Sequence, residues 1–302
     1  MEKVLEISHL SKKFGQQYAL NDVNLSIRKG DVYGLIGKNG AGKTTLIKVI
    51  TQLIQETDGS VSLFASTNRS QWIQALKRVG SVIESPVAHK HMTAYQNLVY
   101  YCKARHIPNP DQVIKETLNY VGLSNTGKKK FRDFSLGMKQ RLGIAIALIA
   151  KPDFLILDEP INGLDPVGIK EFRQMIKRLN DELGMTILIS SHILSELYLV
   201  ANRFGIVDQG RLIKEISKAE FEEQGEDYII LKTNQLALAS QLIQDQLHHR
   251  IKVIDKDGEI HIFGQTHDIK VIVKALVQAD IDVDEIYYAR QDLEKFFTDL
   301  VD

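Results

Sequence analysis

The sequence has few cysteines, no net charge, no secretory signal and no long apolar run, and each of these absences argues against a class of protein. Its 302 residues include one cysteine, Cys102, which excludes an internal disulfide framework and suits a reducing compartment. Lys plus Arg and Asp plus Glu each number 38, so no net field favours nucleic acid or an anionic membrane. The N-terminus lacks the basic region and apolar core of a secretory signal, and the apolar runs fall far short of the about 20 residues that span a bilayer. We therefore expect a soluble chain without a nucleic-acid partner, which would reach a membrane only through another protein.

The strongest motif is GKNGAGKTT, which fits the phosphate-binding pattern of Gly, any four residues, Gly, Lys and Ser or Thr. The preceding DVYGLIG alternates apolar residues as a strand does, and the apolar residues that follow recur at helical spacing. Glycines let the backbone approach an anion, Lys43 supplies charge, and the Thr44 hydroxyl can reach Mg²⁺. The predicted nucleotide-binding residues of this loop are Gly37, Lys38, Asn39, Gly40, Ala41, Gly42, Lys43, Thr44 and Thr45.

A second candidate feature is the apolar run DFLILD at residues 153–158, which predicts a central strand buried on both faces. It ends in two carboxylates, of which Asp158 is suited to hold Mg²⁺ and Glu159 to orient or deprotonate a water molecule. His192 follows another apolar strand, MTILIS, where an ordinary core or surface histidine is the alternative to a phosphate contact. These residues narrow the choice among kinases, GTPases and motor ATPases that a phosphate loop leaves open.

Residues 93–150 are predicted to be almost entirely helical, with Thr93, Asp111 and Ser135 as N-caps of three helices. The start of the third helix, FSLGMKQR, is either an anion site or a simple cap. A strand before this region, VGSVIE, is expected to end at Glu84, because Pro86 cannot continue it.

The alternation of strands and helices predicts an α/β fold with a largely parallel sheet and helices on its faces. We expect a nucleotide-binding domain at 1–215, with a helical subdomain at about 85–150, and a linker at 216–227. Residues 228–302 follow the order βαββαβ and then a last helix, which predicts a ferredoxin-like α+β accessory domain. Its sequence shows no convergent acid, base or ligand set, so we interpret it as structural or regulatory.

Taken together, these motifs and their order resemble the ATP-binding subunit of ABC transporters over about residues 1–215. The resemblance implies a P-loop NTPase of the ABC type, in which a small antiparallel β subdomain and a helical subdomain flank the central sheet. The stretches IESP and SLGMKQRLGIA and the C-terminal extension look like the subgroup that serves bacitracin-type and lantibiotic export or self-protection.

The resemblance also implies roles for individual residues. Phe14 would stack on adenine, with Tyr18 as the alternative, and Asp158 would bind Mg²⁺ through water. Glu159 would be the catalytic base and His192 the switch histidine.

Further implied roles concern segments that, in ABC ATPases, lie where two copies of the ATP-binding subunit meet. The turn NGLD, which ends at Asp165, would be the D-loop. The family's LSGGQ signature becomes FSLGM here, which keeps Ser135 and Gly137 as nucleotide contacts but replaces a glycine with Leu136 and a glutamine with Met138. Glu84 takes the place of the usual Q-loop glutamine, and it can coordinate Mg²⁺ or water.

By the same resemblance, the chain would hydrolyse ATP with Mg²⁺ and drive a separate integral-membrane permease from the inner face of the cell membrane. Two copies would pair head to tail, with each ATP between the phosphate loop of one and the signature helix of the other. The permease would dock near 85–96. Two alternatives stay open: a soluble ABC ATPase that acts on ribosomes or DNA, and an exporter ATPase for another cargo. One phosphate loop and no sustained heptads count against the first.

Overall fold

The fold is known from a computed structural model of the chain, which divides into two compact units, Met1–Lys218 and Ala219–Asp302. The structure describes residues 2–66, 69–224, 228–245, 247–254, 258–263 and 269–289. The elements of the first unit, in chain order, are β1 (Lys3–Phe14), β2 (Gln17–Arg28), β3 (Val32–Ile36), α1 (Lys43–Ile50), β4 (Asp58–Leu63), α2 (Arg69–Leu76), β5 (Val79–Val82), α3 (Ala94–Ala104), α4 (Pro110–Tyr120), α5 (Leu136–Leu148), β6 (Phe154–Leu157), α6 (Pro166–Leu183), β7 (Thr186–Ser191), α7 (Leu194–Tyr198), β8 (Arg203–Asp208) and β9 (Arg211–Ser217). A further helix, α8 (Lys218–Gln224), begins at the junction of the units.

The central sheet of the first unit has the strand order β5-β6-β7-β3-β8-β9. Its strands pair in parallel except for β8 and β9, which confirms the predicted largely parallel sheet. Every residue of β3, β6 and β7 is buried, because these strands are apolar and have a neighbour on each side. Parallel strands end at one edge of a sheet, so the segments that follow β3, β6 and β7 meet there.

A second, antiparallel sheet has the order β2-β1-β4 and is the small subdomain expected from the sequence. Its first two strands are each 12 residues long, and Phe14 ends β1. Polar residues between the apolar ones continue the ladder on the solvent side.

Two helix caps confirm predictions from the sequence. Thr93 and Gln96 form a capping box at the start of α3, and the Ser135 hydroxyl accepts the N–H of Met138 at 3.3 Å at the start of α5. Asp111 was a wrong choice of cap, because Pro110 already occupies the first turn of α4 and Asn109 is the N-cap.

The strand β5 ends at Val82, two residues before the predicted end at Glu84. Glu84 has a φ of 62°, in the left-handed region, which cannot continue an extended strand. Glu84 is therefore in the connection that follows β5 and not at the end of the strand.

The second unit contains β10 (Tyr228–Lys232), α9 (Leu236–Asp245), β11 (Arg250–Ile254), β12 (Glu259–Phe263), α10 (Ile269–Gln278) and β13 (Glu285–Ala289). Its sheet is antiparallel throughout with the order β11-β12-β10-β13, which confirms the ferredoxin-like prediction. A separate core of its own includes Leu231, Ile243 and Leu276, all fully buried. The helix predicted after Arg290 lies outside the described residues.

The separate core predicts that the second unit has its own stability. Leu276→Ala in α10 should lower the free energy of unfolding of this unit by about 2–5 kcal/mol, because a fully buried leucine is lost, and should leave the first unit's transition in place. Leu238→Ala in α9 is the matched control: Leu238 is 56% exposed, and its loss should change stability by less than about 0.5 kcal/mol. Calorimetry of the full chain measures both transitions, and equal effects of the two variants would contradict the separate core.

Candidate functional site

The predicted phosphate loop joins the end of β3 to the start of α1, as the sequence indicated. Its glycines are required by the packing around them. A Cβ on Gly37 would lie 2.4 Å from the carbonyl oxygen of Val207, and one on Gly42 would lie 2.8 Å from that of Ala19. Gly42 also has a φ of 109° and, as the N-cap of α1, has no side chain to accept the first N–H groups of that helix. These donors are therefore left to bind an anion.

Lys43 lies across this loop and is almost completely buried. Its Nζ donates to the carbonyl oxygen of Gly37 at 2.7 Å and to that of Lys38 at 3.2 Å. It also lies 3.1 Å from Oε1 of Glu159, with the two side chains 5% and 18% exposed. The loop lysine is thus paired with the candidate base.

Asp158 brings the end of β6 against the same loop. Its Oδ2 accepts the hydroxyl proton of Thr44 at 2.8 Å, so two of the three predicted metal-binding side chains are in contact. Its Oδ1 accepts a second hydrogen bond, from the hydroxyl of Ser190 at 2.6 Å. Asp158 is 3% exposed, so both carboxylate oxygens are hydrogen-bonded within the protein interior.

Glu159, the next residue, contacts His192, the residue that follows β7. The Nδ1 atom of His192 lies 2.9 Å from Oε2 of Glu159. The other oxygen, Oε1, is buried and lies 3.1 Å from the Lys43 ammonium, which is its partner in the ion pair. The structure therefore brings together five of the predicted residues at one sheet edge: Lys43, Thr44, Asp158, Glu159 and His192.

Ser190 was not predicted as a site residue. Its hydroxyl also accepts the backbone N–H of Glu159 at 2.9 Å, so it contacts both carboxylate residues. The only signal in the sequence is a polar residue at the end of an apolar strand, and this becomes informative once β6 and β7 are known to be neighbours.

The donor set fits the groups that the motifs imply. Mg²⁺ prefers hard oxygen ligands, which the Thr44 hydroxyl and the Asp158 carboxylate supply side by side. The glycine loop and the start of α1 supply N–H groups for phosphates, and Lys43, which is paired with Oε1 of Glu159, carries a charge that suits a phosphate.

The two aromatic candidates for adenine stacking are at the end of the β1–β2 hairpin. Phe14 and Tyr18 are 54% and 46% exposed, and a lysine ammonium lies over each ring, at 5.1 Å and 4.3 Å from the centroids. The following residue of β2, Ala19, is the one that approaches Gly42. Both rings thus belong to the strand pair that passes beside the phosphate loop, and the adenine contact of Phe14 stays a prediction.

Glu84 is placed differently from the other candidates. It forms an ion pair with Lys48 of α1 at 2.5 Å, and its side chain is 63% exposed. The other two predicted metal ligands have different partners: Thr44 donates a hydrogen bond to Asp158, and Asp158 also accepts one from Ser190. The role of Glu84 as a ligand of Mg²⁺ or water stays a prediction.

The signature residues form a second cluster around the starts of α5 and α6. Ser135 caps α5 by accepting the N–H of Met138 at 3.3 Å, and Asp165 caps α6. Leu136 packs on the turn before α6, since a Cβ on Gly163 would lie 2.9 Å from its Cδ2. Ser135, Gly137 and Asp165 thus share one surface of the chain, supported by their own helices.

Among the described residues, no helix is both long and apolar enough to cross a membrane. The profile of the ABC transporter family matches residues 20–162. The chain is 38% identical over 301 residues to the bacitracin transport ATP-binding protein BcrA of Enterococcus faecalis, covering 100% of this chain and 97% of that protein. It is 47% identical over 212 residues to the lantibiotic transport ATP-binding protein SrtF of Streptococcus pyogenes, covering 70% of this chain and 90% of that protein.

Solved structures show the same fold. The ATP-binding subunit of an ABC transporter superposes with a TM-score of 0.65 at 28% identity, covering 73% of this chain and 92% of the other. A dimeric ATP-binding cassette in a post-hydrolysis state, bound to ADP and Pi, has a TM-score of 0.63 at 24% identity and covers 71% of this chain and 98% of that one. With full-length relatives, a matching fold and a phosphate loop facing paired carboxylates, the chain belongs to the ABC transporter family as one of its ATP-binding, ATP-hydrolysing proteins.

Proposed function

We propose that this chain powers a separate integral-membrane permease that exports an antimicrobial peptide or antibiotic of the bacitracin or lantibiotic type, and so confers resistance or immunity. The observation that carries the ATPase part is the contact of Lys43 with Glu159 beside the Thr44–Asp158 pair. The cargo class is supported by the names of the relatives, which are similar over the full chain or over 70% of it.

ATP binding changes the partners of Lys43. Phosphate oxygens compete with the Gly37 carbonyl and the Glu159 carboxylate for its Nζ, and the multiply charged phosphates are the stronger partner. Transfer of Lys43 to the phosphates leaves Glu159 without its cation. The Oε1 atom of Glu159 is then free to accept a hydrogen bond from the attacking water.

Hydrolysis then uses Glu159 as the base. A water oxygen attacks the γ-phosphorus, the bond to the bridging oxygen of ADP breaks, and the water proton moves to the Glu159 carboxylate. His192 holds Oε2 of Glu159 and so directs Oε1 toward the water. Mg²⁺, held by Thr44 and Asp158, would neutralise phosphate charge.

A second copy of the chain completes each site. The cap of α5 presents the N–H groups of a helix start beside Ser135 and Gly137, which suits a phosphate carried by another copy. Binding energy from this contact would close a head-to-tail dimer, and loss of the γ-phosphate would open it. Leu136 and Met138 change the side chains of this surface but leave its backbone donors.

The permease contact is proposed for residues 85–96, on the segment that leads into α3. Val87 is 77% exposed and Tyr95 is 44% exposed, which gives this segment apolar surface for a protein partner. The chain would thereby work on the inner face of the cell membrane and touch the bilayer only through the permease, with no nucleic acid involved. The second unit would serve as a structural or regulatory domain.

Lys43→Ala should weaken ATP binding at least about ten-fold, because the charge on the phosphates is lost. Lys77→Ala is the control: Lys77 is an exposed lysine that follows α2, and its loss should leave the affinity unchanged. Isothermal calorimetry of both variants measures the difference, and unchanged affinity in Lys43→Ala would rule out the assigned loop.

Glu159→Gln should bind ATP but turn it over on the order of a hundred-fold more slowly and accumulate as a closed dimer, because the water loses its base while the phosphate cage remains. Glu182→Gln changes a carboxylate of an exposed ion pair in α6 and should retain the parent rate. Steady-state phosphate release and size-exclusion chromatography with ATP measure both effects. Turnover near that of the parent in Glu159→Gln would remove the assigned base.

Purification of the chain from its native membranes under mild detergent tests the transport function. The proposal expects an integral-membrane protein of about six spans to be identified with it by mass spectrometry, and a strain that lacks this protein to become sensitive to bacitracin or lantibiotics. Recovery with ribosomes or DNA would contradict the proposal and favour the non-transport alternative. Sensitivity to other compounds alone would contradict the cargo class.

A further inference from the structure

We infer that Ser190 is a positioning residue for ATP hydrolysis, whose single hydroxyl fixes Asp158 and Glu159 relative to each other. The inference rests on the proposed roles of those two carboxylates. Ser190 is in β7, next to β6 in the sheet, and is fully buried. Its Oγ lies 2.6 Å from Oδ1 of Asp158 and 2.9 Å from the backbone nitrogen of Glu159.

The polarity of these two hydrogen bonds follows from the atoms present. The backbone N–H of Glu159 is only a donor, so the Ser190 oxygen accepts from it. The one hydroxyl proton of Ser190 then donates to Asp158 Oδ1. Accepting from one residue while donating to the other polarises the hydroxyl and strengthens both bonds. A serine or threonine fulfils both roles at once, whereas an aliphatic residue fulfils neither.

The bond to Glu159 is located where the chain leaves the sheet. The N–H of Asp158 still extends the ladder of β6 and β5 by donating to the carbonyl oxygen of Val82 at 2.9 Å. Glu159 is the first residue to leave the ladder, and its φ is 48°, a left-handed conformation that a residue with a side chain adopts at some cost. The Ser190 oxygen satisfies the N–H that this turn releases, and so holds the backbone that directs the Glu159 side chain to His192.

The bond to Asp158 completes the fixation of the metal-binding carboxylate. Oδ2 is held by Thr44 of the phosphate loop, and Oδ1 by Ser190. When the Thr44 hydroxyl turns to another ligand, the Ser190 bond remains as the anchor of Asp158. The same hydroxyl therefore couples the orientation of the proposed metal ligand to that of the proposed base, which are consecutive residues with different backbone conformations.

Ser190→Thr and Ser190→Val provide the test, because threonine and valine have nearly the same volume and only threonine keeps the hydroxyl. Ser190→Val should lower kcat roughly ten-fold or more, the effect of losing a hydrogen bond to a charged group. Its affinity for ATP without metal should change less than about two-fold, since the loop residues are untouched, and Ser190→Thr should stay within about three-fold of the parent kcat. If the volume of valine prevents folding, Ser190→Ala against Ser190→Thr makes the same comparison.

The neighbouring Ser191 gives a matched control. It is equally buried, but its hydroxyl accepts the N–H of Ile193 at 3.0 Å and contacts neither carboxylate. Ser191→Ala should therefore reduce kcat less than Ser190→Ala does. Equal kcat values for Ser190→Thr and Ser190→Val, or a fall in ATP affinity without a fall in kcat, would overturn the inference.

Glu159→Gln measured in parallel separates failure of this inference from failure of the proposed site. If the parent hydrolyses ATP and Glu159→Gln does not, but Ser190→Val equals the parent, only the role of Ser190 fails. If Glu159→Gln equals the parent, the assignment of the base fails, whatever the Ser190 variants show. A loss in Ser190→Val together with activity in Ser190→Thr and slow turnover in Glu159→Gln supports both.

Discussion

The buried contact between Lys43 and Glu159 is the interaction on which the account of this site depends. An ammonium and a carboxylate 3.1 Å apart, with little exposure to water, offset the cost of each other's burial, and removal of either leaves a charge without its partner. Nucleotide phosphates offer Lys43 an alternative partner of higher charge. When Lys43 moves from Glu159 to the phosphates, nucleotide binding at the loop therefore frees Oε1 of Glu159 to contact water.

This contact exists because of the order of strands in the sheet. The loop follows β3, Glu159 follows β6 and His192 follows β7, and these three strands lie side by side in parallel. Gly37 is tied directly to the end of β7, since its N–H donates to the carbonyl oxygen of Ser191 at 3.3 Å. The buried apolar strands thus act as a rigid base, and the polar groups project from one edge, where parallel α/β sheets bind their ligands.

The sequence was sufficient wherever the determining interactions are local. The glycine loop, the cap of α3 at Thr93 and the alternation in the second unit could be predicted, because each depends on residues a few positions apart. The cap of α4 was missed because Asp and Asn are both residue types that favour the N-cap position, and only the position of Pro110 decides between Asp111 and Asn109. Glu84 was placed on β5 because its left-handed backbone has no signature in the side chain.

Local sequence patterns could not predict the contacts between distant segments of the chain. The bonds of Ser190 to Asp158 and Glu159 join residues 32 and 31 positions apart. The order of the strands along the chain does not reveal which strands are neighbours in the sheet. The strands β6 and β7 are consecutive and pair, but β3 and β8, which are far apart in sequence, also pair. Family resemblance could assign roles to Asp158, Glu159 and His192, but the pairing of the base with the loop lysine emerges only from the folded chain.

A structure of the full chain with Mg²⁺ and a non-hydrolysable ATP analogue tests the central claim most directly. The account predicts that the Nζ atom of Lys43 leaves Oε1 of Glu159, from which it is now separated by 3.1 Å, and binds phosphate oxygens. It also predicts that Thr44 and Asp158 face the metal ion and that Glu159 stays with His192. A nucleotide bound with the Lys43–Glu159 pair still intact, or bound away from the loop, would contradict it.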